Sequence, residues 1–202
     1  TRFEEEWGTW LDEELSNAEF SDAVINAQRL GMAQPLATLR DLASELHANY
    51  DLVERFGAMT SPPSTDGPEL ILKSVRSDLS KAVELKDYCT NSEDRLLIHL
   101  STAVGLAVDW IDEVLETDSD EDRILAMTQM PKLSVGGGRK GDWSSLPDGE
   151  SSIEEVRALL KAAQTILESG RQSLGEATVV PLFNAVSRMV LEYAAKRRRE
   201  GL

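Results

Sequence analysis

The sequence predicts an all-α protein, a multi-helix bundle of about six to eight helices with a C-terminal helical pair after a glycine-rich loop. Between Ser92 and Glu116 there is no proline, and apolar residues recur every three or four positions, as in an amphipathic helix. Other periodic segments repeat this spacing, and no comparable signal indicates a strand. Hydrophobic residues make up 41% of the 202 residues and charged residues 28%, which is typical of a globular chain.

The N-terminal region, residues 1–34, predicts two short acidic helices. The first spans Arg2 to Leu15, and the second runs from residue 21 or 22 to Leu30, where Gly31 offers a left-handed stop.

Residues 35–130 predict a central helical bundle. Pro35 suits a first helical turn, and an apolar stripe continues from it to about Gly57. The stretch from Ala58 to Gly67 carries two prolines among small polar residues and predicts a loop. Asp66 and Glu69 resemble a capping box for the next helix.

That next helix is predicted to end near Cys89, with Leu72, Val75, Leu79 and Val83 facing inward. Asn91 or Ser92 would then cap the long central helix. Its predicted inward stripe comprises Leu96, Leu100, Ala103, Ala107, Ile111 and Val114. A short helix with acids in its first turn follows, through Met130.

Residues 131–151 contain four glycines from Gly136 to Gly141, together with serines and prolines, and predict a flexible loop. Residues 152–202 predict a helical pair. Ser152 and Glu155 resemble a capping box for the first helix, and the second begins near Pro181.

Charge and cysteine content limit the function classes. The net charge of −15 disfavours whole-surface binding to nucleic acid or anionic membrane and favours basic partners. The single cysteine, Cys89, cannot form an internal disulfide, and no apolar run of about eighteen residues occurs. We therefore expect an intracellular, cytoplasmic protein, or one within an assembled particle.

Two acidic pairs with three-residue spacing lie on consecutive predicted helices: Glu84 and Asp87, then Asp109 and Asp112. Four carboxylates across a helical hairpin suit Mg²⁺ or Mn²⁺. Over residues 84 to 112 the arrangement resembles the all-helical nucleoside triphosphate pyrophosphohydrolases. The resemblance implies a metal-dependent nucleotide hydrolase. In this hypothesis we expect Lys86 or Arg139 to lie near phosphate.

The same acidic pairs have a second interpretation. Aspartate stands at three of the four positions where that family usually has glutamate, and its shorter side chain would place a metal differently. Asp109 and Asp112 also lie opposite the apolar stripe of their own helix, so a solvated acidic face is the alternative to a metal site.

The loop places Arg139, Lys140 and Trp143 beside the glycines, which predicts a contact for phosphate or a partner. It is not a P-loop, because no Ser or Thr follows the lysine and no strand precedes the glycines. The alternative is a mobile connector, although an exposed tryptophan would normally find a pocket on its own chain or on a partner.

The two ends of the sequence carry further predicted partner contacts. Phe3, Trp7, Trp10 and Leu11 share one side of an acidic helix, which predicts docking in an apolar groove on a partner or a second copy, or packing on its own bundle. The cations near the C-terminus are Lys196, Arg197, Arg198 and Arg199. They predict contact with a protein or with nucleic acid, or helix capping and interaction with the helix dipole.

No catalytic set accompanies these features. His47 and His99 lie alone at the edges of apolar stripes, and no nucleophile or metal motif of high specificity occurs. The sequence therefore favours a non-enzymatic interaction or assembly protein. It predicts binding to a protein partner or self-association into a homo-oligomer, and it predicts no cofactor and no membrane contact. The metal-dependent hydrolase and a nucleic-acid-binding subunit acting through the basic tail are the alternatives.

Overall fold

A computed structural model describes residues 2–56 and 66–201, and over this range it confirms the all-α prediction. Eight helices and no strand occur in the described residues. The helices are α1 Arg2–Glu14, α2 Ala18–Arg29, α3 Pro35–Ala48, α4 Tyr50–Phe56, α5 Pro68–Glu84, α6 (the continuous segments Arg95–His99, Leu100–Val104 and Gly105–Leu115), α7 Asp120–Gln129 and α8 Ser152–Arg199. The predicted loop residues from 58 to 65 lie outside the described range.

The chain divides into two compact units, which differ from the predicted regions. The middle unit is residues 66–172, and the terminal unit combines the described residues before 57 with those from 173 onward. The predicted boundaries at 34, 130 and 151 are not boundaries of these units. Helix α8 contributes its first part to the middle unit and its second part to the terminal unit.

The C-terminal part of the chain is one helix rather than the predicted pair, because α8 continues through Pro181. Proline lacks an N–H and crowds the preceding turn, so it usually ends or kinks a helix. Here Val180 and Leu182 are both buried, and packing of an amphipathic face supplies more helix stability than local propensity does. The prediction of a helix start at Pro181 is therefore wrong.

The terminal unit is held by a core that joins α1, α2 and α3 to the second part of α8. Trp7 on α1 and Phe20 on α2 are buried in the same cluster as Leu182, Val186 and Val190 of α8. The N-terminal helices are therefore structural parts of this unit. Asn17, whose side chain accepts a hydrogen bond from the Glu19 N–H, caps α2, which therefore begins at Ala18, three or four residues earlier than predicted.

The core of the middle unit lies between α5, α6, α7 and the first part of α8. Its buried apolar residues include Leu72, Val75, Leu79, Leu96, Leu100, Ile111, Met127, Ile153, Val156 and Leu160. The α-helical hydrogen bonding of α5 ends at Glu84, and a 3₁₀ turn, Leu85–Tyr88, carries the chain to Cys89, where the helix was predicted to end.

A π turn at Leu100–Val104 interrupts the α-helical hydrogen bonding of α6. The Gly105 N–H donates to the Leu100 carbonyl five residues earlier, so this turn contains one extra residue. As a result Val104 is buried where the regular period predicts Ala103, and the buried stripe resumes at Ala107.

Three predicted helix starts need correction. The N-cap of α6 is Asp94 rather than Asn91 or Ser92. Helix α5 begins after Gly67 without a side-chain cap, and Glu69 instead pairs with Lys73. The hydroxyl of Ser152 donates to the Ser144 carbonyl rather than forming a capping box. Glu69 and Ser152 are therefore engaged by partners other than the cap positions that the local pattern assigns to them.

Candidate interaction surface

The aromatic residues of α1 face the terminal unit's own core. Trp7 is only 5% exposed, and Phe3, Trp10 and Leu11 are partly buried against the same cluster. Phe3 stacks on His47 with ring centroids 5.1 Å apart, and Trp10 meets Phe20 edge to face at 5.7 Å. This is the packing alternative, so these four side chains are not arranged as free anchors for a partner.

The basic tail is largely paired with acids of the terminal unit. Lys196 forms an ion pair with Glu6, and Arg198 makes a bidentate pair with Glu54 at 3.0 and 3.2 Å. The Arg198 guanidinium also lies 4.9 Å from the centroid of the Tyr50 ring. These partners reduce the positive charge that the tail could offer to nucleic acid.

The other two tail cations differ in their surroundings. The Arg199 Nε donates to the Ala195 carbonyl at 3.4 Å, as expected near a helix C-terminus. The Arg197 Nε and the His47 Nδ1 are buried without a hydrogen-bond partner in the described residues. Burial, followed by the charge of Arg197, lowers the pKa of His47.

The loop from 131 to 151 is anchored to the N-terminus of α6 rather than forming a free connector. The Asp94 carboxylate is 4% exposed; its Oδ1 accepts from the Leu96 and Leu97 N–H groups at 2.9 and 3.2 Å, and its Oδ2 accepts from the Arg139 N–H at 2.8 Å. Gly138, with a φ of 74°, passes so close that an added Cβ would lie 3.0 Å from the Leu96 Cβ. One carboxylate therefore caps the helix and fixes the loop.

These contacts set the ionisation of Asp94. Burial alone would raise its pKa, but the backbone N–H groups of Arg139, Leu97 and Leu96, with the nearby indole of Trp143, hold it below the usual value. The indole N–H itself has no partner of ordinary hydrogen-bond geometry within the described chain. Trp143 is 8% exposed, so it anchors the loop on its own unit instead of awaiting a partner.

The two cations of the loop remain exposed. Arg139, together with Arg95 of α6, lines an open cleft of about 450 Å³ beside the glycines. Its acidic walls include Asp142, which accepts from the Asn91 side chain at 2.8 Å. The cleft carries both signs of charge, and the adjacent helix N-terminus is already capped by Asp94, so the geometry does not single out an anion site.

The four predicted metal ligands do not form a metal-binding group. Among the described residues, no cluster of three or more histidine, cysteine, aspartate or glutamate side chains is placed to hold a metal ion. Asp112 is bound by Arg76, whose Nε and Nη2 donate at 2.7 and 2.9 Å, and this hydrogen bonding lowers the pKa of Asp112. Glu84, Asp87 and Asp109 are exposed, and within residues 2–56 and 66–201 they have no comparable partner.

His99 has a structural role in the middle unit. Its Nε2 accepts a hydrogen bond from the Ser134 N–H at 3.1 Å, which ties α6 to the start of the loop. Burial lowers the pKa of His99, so the neutral ring that can accept this bond is favoured.

An exposed apolar face on α6 was not predicted from the sequence. Leu106 is 68% exposed and Ile98 is 48% exposed, although the opposite side of the helix is buried in the core. Leu106 and Ile98 both fall outside the apolar stripe that predicts the inward side of the helix. Large apolar residues outside that stripe were the sequence signal that could have identified this face. Large apolar side chains that share an exposed helix face are candidates for contact with another protein.

The described helices include none long and apolar enough to cross a membrane. Comparison with known proteins finds no matching family model, no matching curated protein and no matching solved structure.

Proposed function

We propose that this protein is a non-enzymatic interaction or assembly protein, and that the exposed face of α6 supplies its main protein contact. The observation that carries the proposal is the exposure of Leu106 and Ile98 on a helix whose other side is fully packed. Leaving such side chains in water gives up the free energy that their burial would provide, about 1.5–3 kcal/mol for a fully buried leucine.

The contact surface in this proposal differs from that predicted by sequence. The aromatic side of α1 and most of the basic tail are used inside the terminal unit, as the packing of Trp7 and the Arg198–Glu54 pair indicate. Arg139 and Lys140 keep exposed side chains and stay in the proposed surface. The lone Cys89 fits action in a reducing, intracellular compartment.

The test is the size of the protein in an extract of its source cells. We expect it to elute in a complex much larger than the 22.3 kDa chain, and we expect Leu106→Asp to release it from that complex. Leu52→Asp is the matched control, because Leu52 is 46% exposed on α4 of the other unit. Elution of the wild-type protein as a free monomer at its natural concentration would overturn the proposal.

A further inference from the structure

The π turn aligns the two exposed apolar residues of α6. In a regular α-helix, side chains eight residues apart differ in direction by about 80°. The turn at Leu100–Val104 contains one extra residue, which removes roughly that offset between Ile98 and Leu106. Thr102, also exposed, lies midway between them, and its hydroxyl donates to the Ile98 carbonyl at 2.7 Å. The result is a short apolar strip centred on Thr102.

The two ends of this strip differ in charge. Arg95 lies at the N-terminal end, where the loop adds Arg139 on the same cleft. Asp109 and Glu113 follow the strip toward the C-terminal end of α6 and are exposed. In the described part of the chain none of these four side chains has an ion-pair partner. The cleft at the N-terminal end also holds Glu93 and Asp142, so that end carries both signs of charge, with Arg95 and Arg139 as its cations. The C-terminal end carries the acids Asp109 and Glu113.

We propose that a second copy of this chain covers this face, with the two α6 helices antiparallel about a two-fold axis near Thr102. This inference rests on the proposed assembly function and names its partner. A two-fold axis places Ile98 of one copy against Leu106 of the other, and the same contact repeats on the other side of the axis. It also sets Arg95 and Arg139 of each copy near Asp109 and Glu113 of its partner.

The distribution of charge favours a second copy over a basic partner. The middle unit has 21 acidic and 12 basic residues, so a uniformly basic protein would be attracted to most of its surface. Such a partner would match Asp109 and Glu113 but would repel Arg95 and Arg139. An inverted copy places the acids Asp109 and Glu113 of one chain near the cations Arg95 and Arg139 of the other.

Sedimentation of the purified full chain over a range of concentrations is the first experiment. We expect a monomer–dimer equilibrium, and we expect Leu106→Asp to raise the dimer dissociation constant by at least about tenfold, because two symmetric apolar contacts are lost. Leu52→Asp should leave it unchanged. Circular dichroism and melting temperature show whether each variant keeps its fold, which is expected for these exposed positions.

Disulfide trapping tests the geometry of the pair. In a Cys89→Ser background, Thr102→Cys should cross-link two copies under mild oxidation, since the axis brings the two positions together. Thr165→Cys is the matched control, an exposed helical threonine on α8, and should cross-link far less. Equal cross-linking of the two variants would overturn the antiparallel arrangement.

The outcomes separate this inference from the broader proposal. A purified chain that stays monomeric at all concentrations contradicts the homodimer. If Leu106→Asp nevertheless releases the protein from its complex in the cell extract, another protein covers the face and the assembly function stands. Monomers in both experiments contradict both proposals.

Discussion

Gly170 of α8 packs directly against Ile71 of α5 in the core of the middle unit. A β-carbon built on Gly170 would lie 2.8 Å from both the Cδ1 and the Cγ2 of Ile71, closer than such atoms approach in real proteins. The absence of a side chain at Gly170 is therefore what allows these two helices to approach so closely.

We expect Gly170→Ala to destabilise the protein by about 1–3 kcal/mol, because the added methyl group overpacks a filled core. Gly175→Ala on the same helix is the control, since its β-carbon would meet nothing within 4 Å. There the substitution should stabilise by about 0.5–1 kcal/mol through the better helix propensity of alanine. Urea unfolding of the two variants measures both; equal effects would contradict the described packing.

Asp94→Asn should separate the two roles of the Asp94 side chain, which caps α6 and fixes the loop. Asparagine is as good an N-cap as aspartate, so α6 should keep its start. Its amide nitrogen, however, cannot accept the Arg139 N–H, and we expect a loss of about 1–3 kcal/mol with faster hydrogen exchange at the Arg139 amide. Asp87→Asn, at an exposed carboxylate, is the control. Unchanged exchange at Arg139 would show that the loop is held by other contacts.

Stability should fall as the pH drops through about 6.5, partly because of His99. Its pKa is lowered in the folded protein, so below the ordinary value of 6.5 the unfolded chain binds more protons. The loss levels off once the pH is below the folded-state pKa. His99→Gln keeps an acceptor for the Ser134 N–H without titrating. The free energy of unfolding of this variant, relative to that of the wild type, should therefore rise as the pH falls from 7.5 to 5. A constant difference would argue against a lowered pKa at His99.

Metal addition tests the alternative hydrolase interpretation. With millimolar Mg²⁺ or Mn²⁺ in high salt, we expect no saturable rise in melting temperature that Asp109→Ala abolishes, because Asp112 is engaged by Arg76 and no metal-binding cluster is described. Asp118→Ala, at an exposed carboxylate outside the four predicted ligands, controls for diffuse ion effects. A saturable rise lost only in Asp109→Ala would restore the metal site.

The fold class was predictable because amphipathic periodicity is a local property of the sequence. Leu72, Val75 and Leu79 on α5 are buried as the period predicts. The π turn was not predictable in the same way, since one extra residue shifts the stripe from Ala103 to Val104 only when tertiary packing selects it.

The site could be predicted less well, because the same residue types serve binding and packing. Trp143 and Trp7 are the aromatic anchors that a partner surface would use, yet both are buried in their own units. Asp94 was overlooked because its role depends on Arg139, which is 45 residues away in the chain. Such long-range contacts leave no local pattern.

The division of the chain into two units also determines when each core can form during synthesis. The middle unit is one unbroken stretch, residues 66–172, and the ribosome delivers all of it before the second half of α8. The core of the terminal unit needs Leu182, Val186 and Val190, more than a hundred residues after the helices they cover. During translation Trp7 and Phe20 therefore lack their native cover until those residues emerge, and for that interval α1 and α2 expose apolar side chains to chaperones and to aggregation.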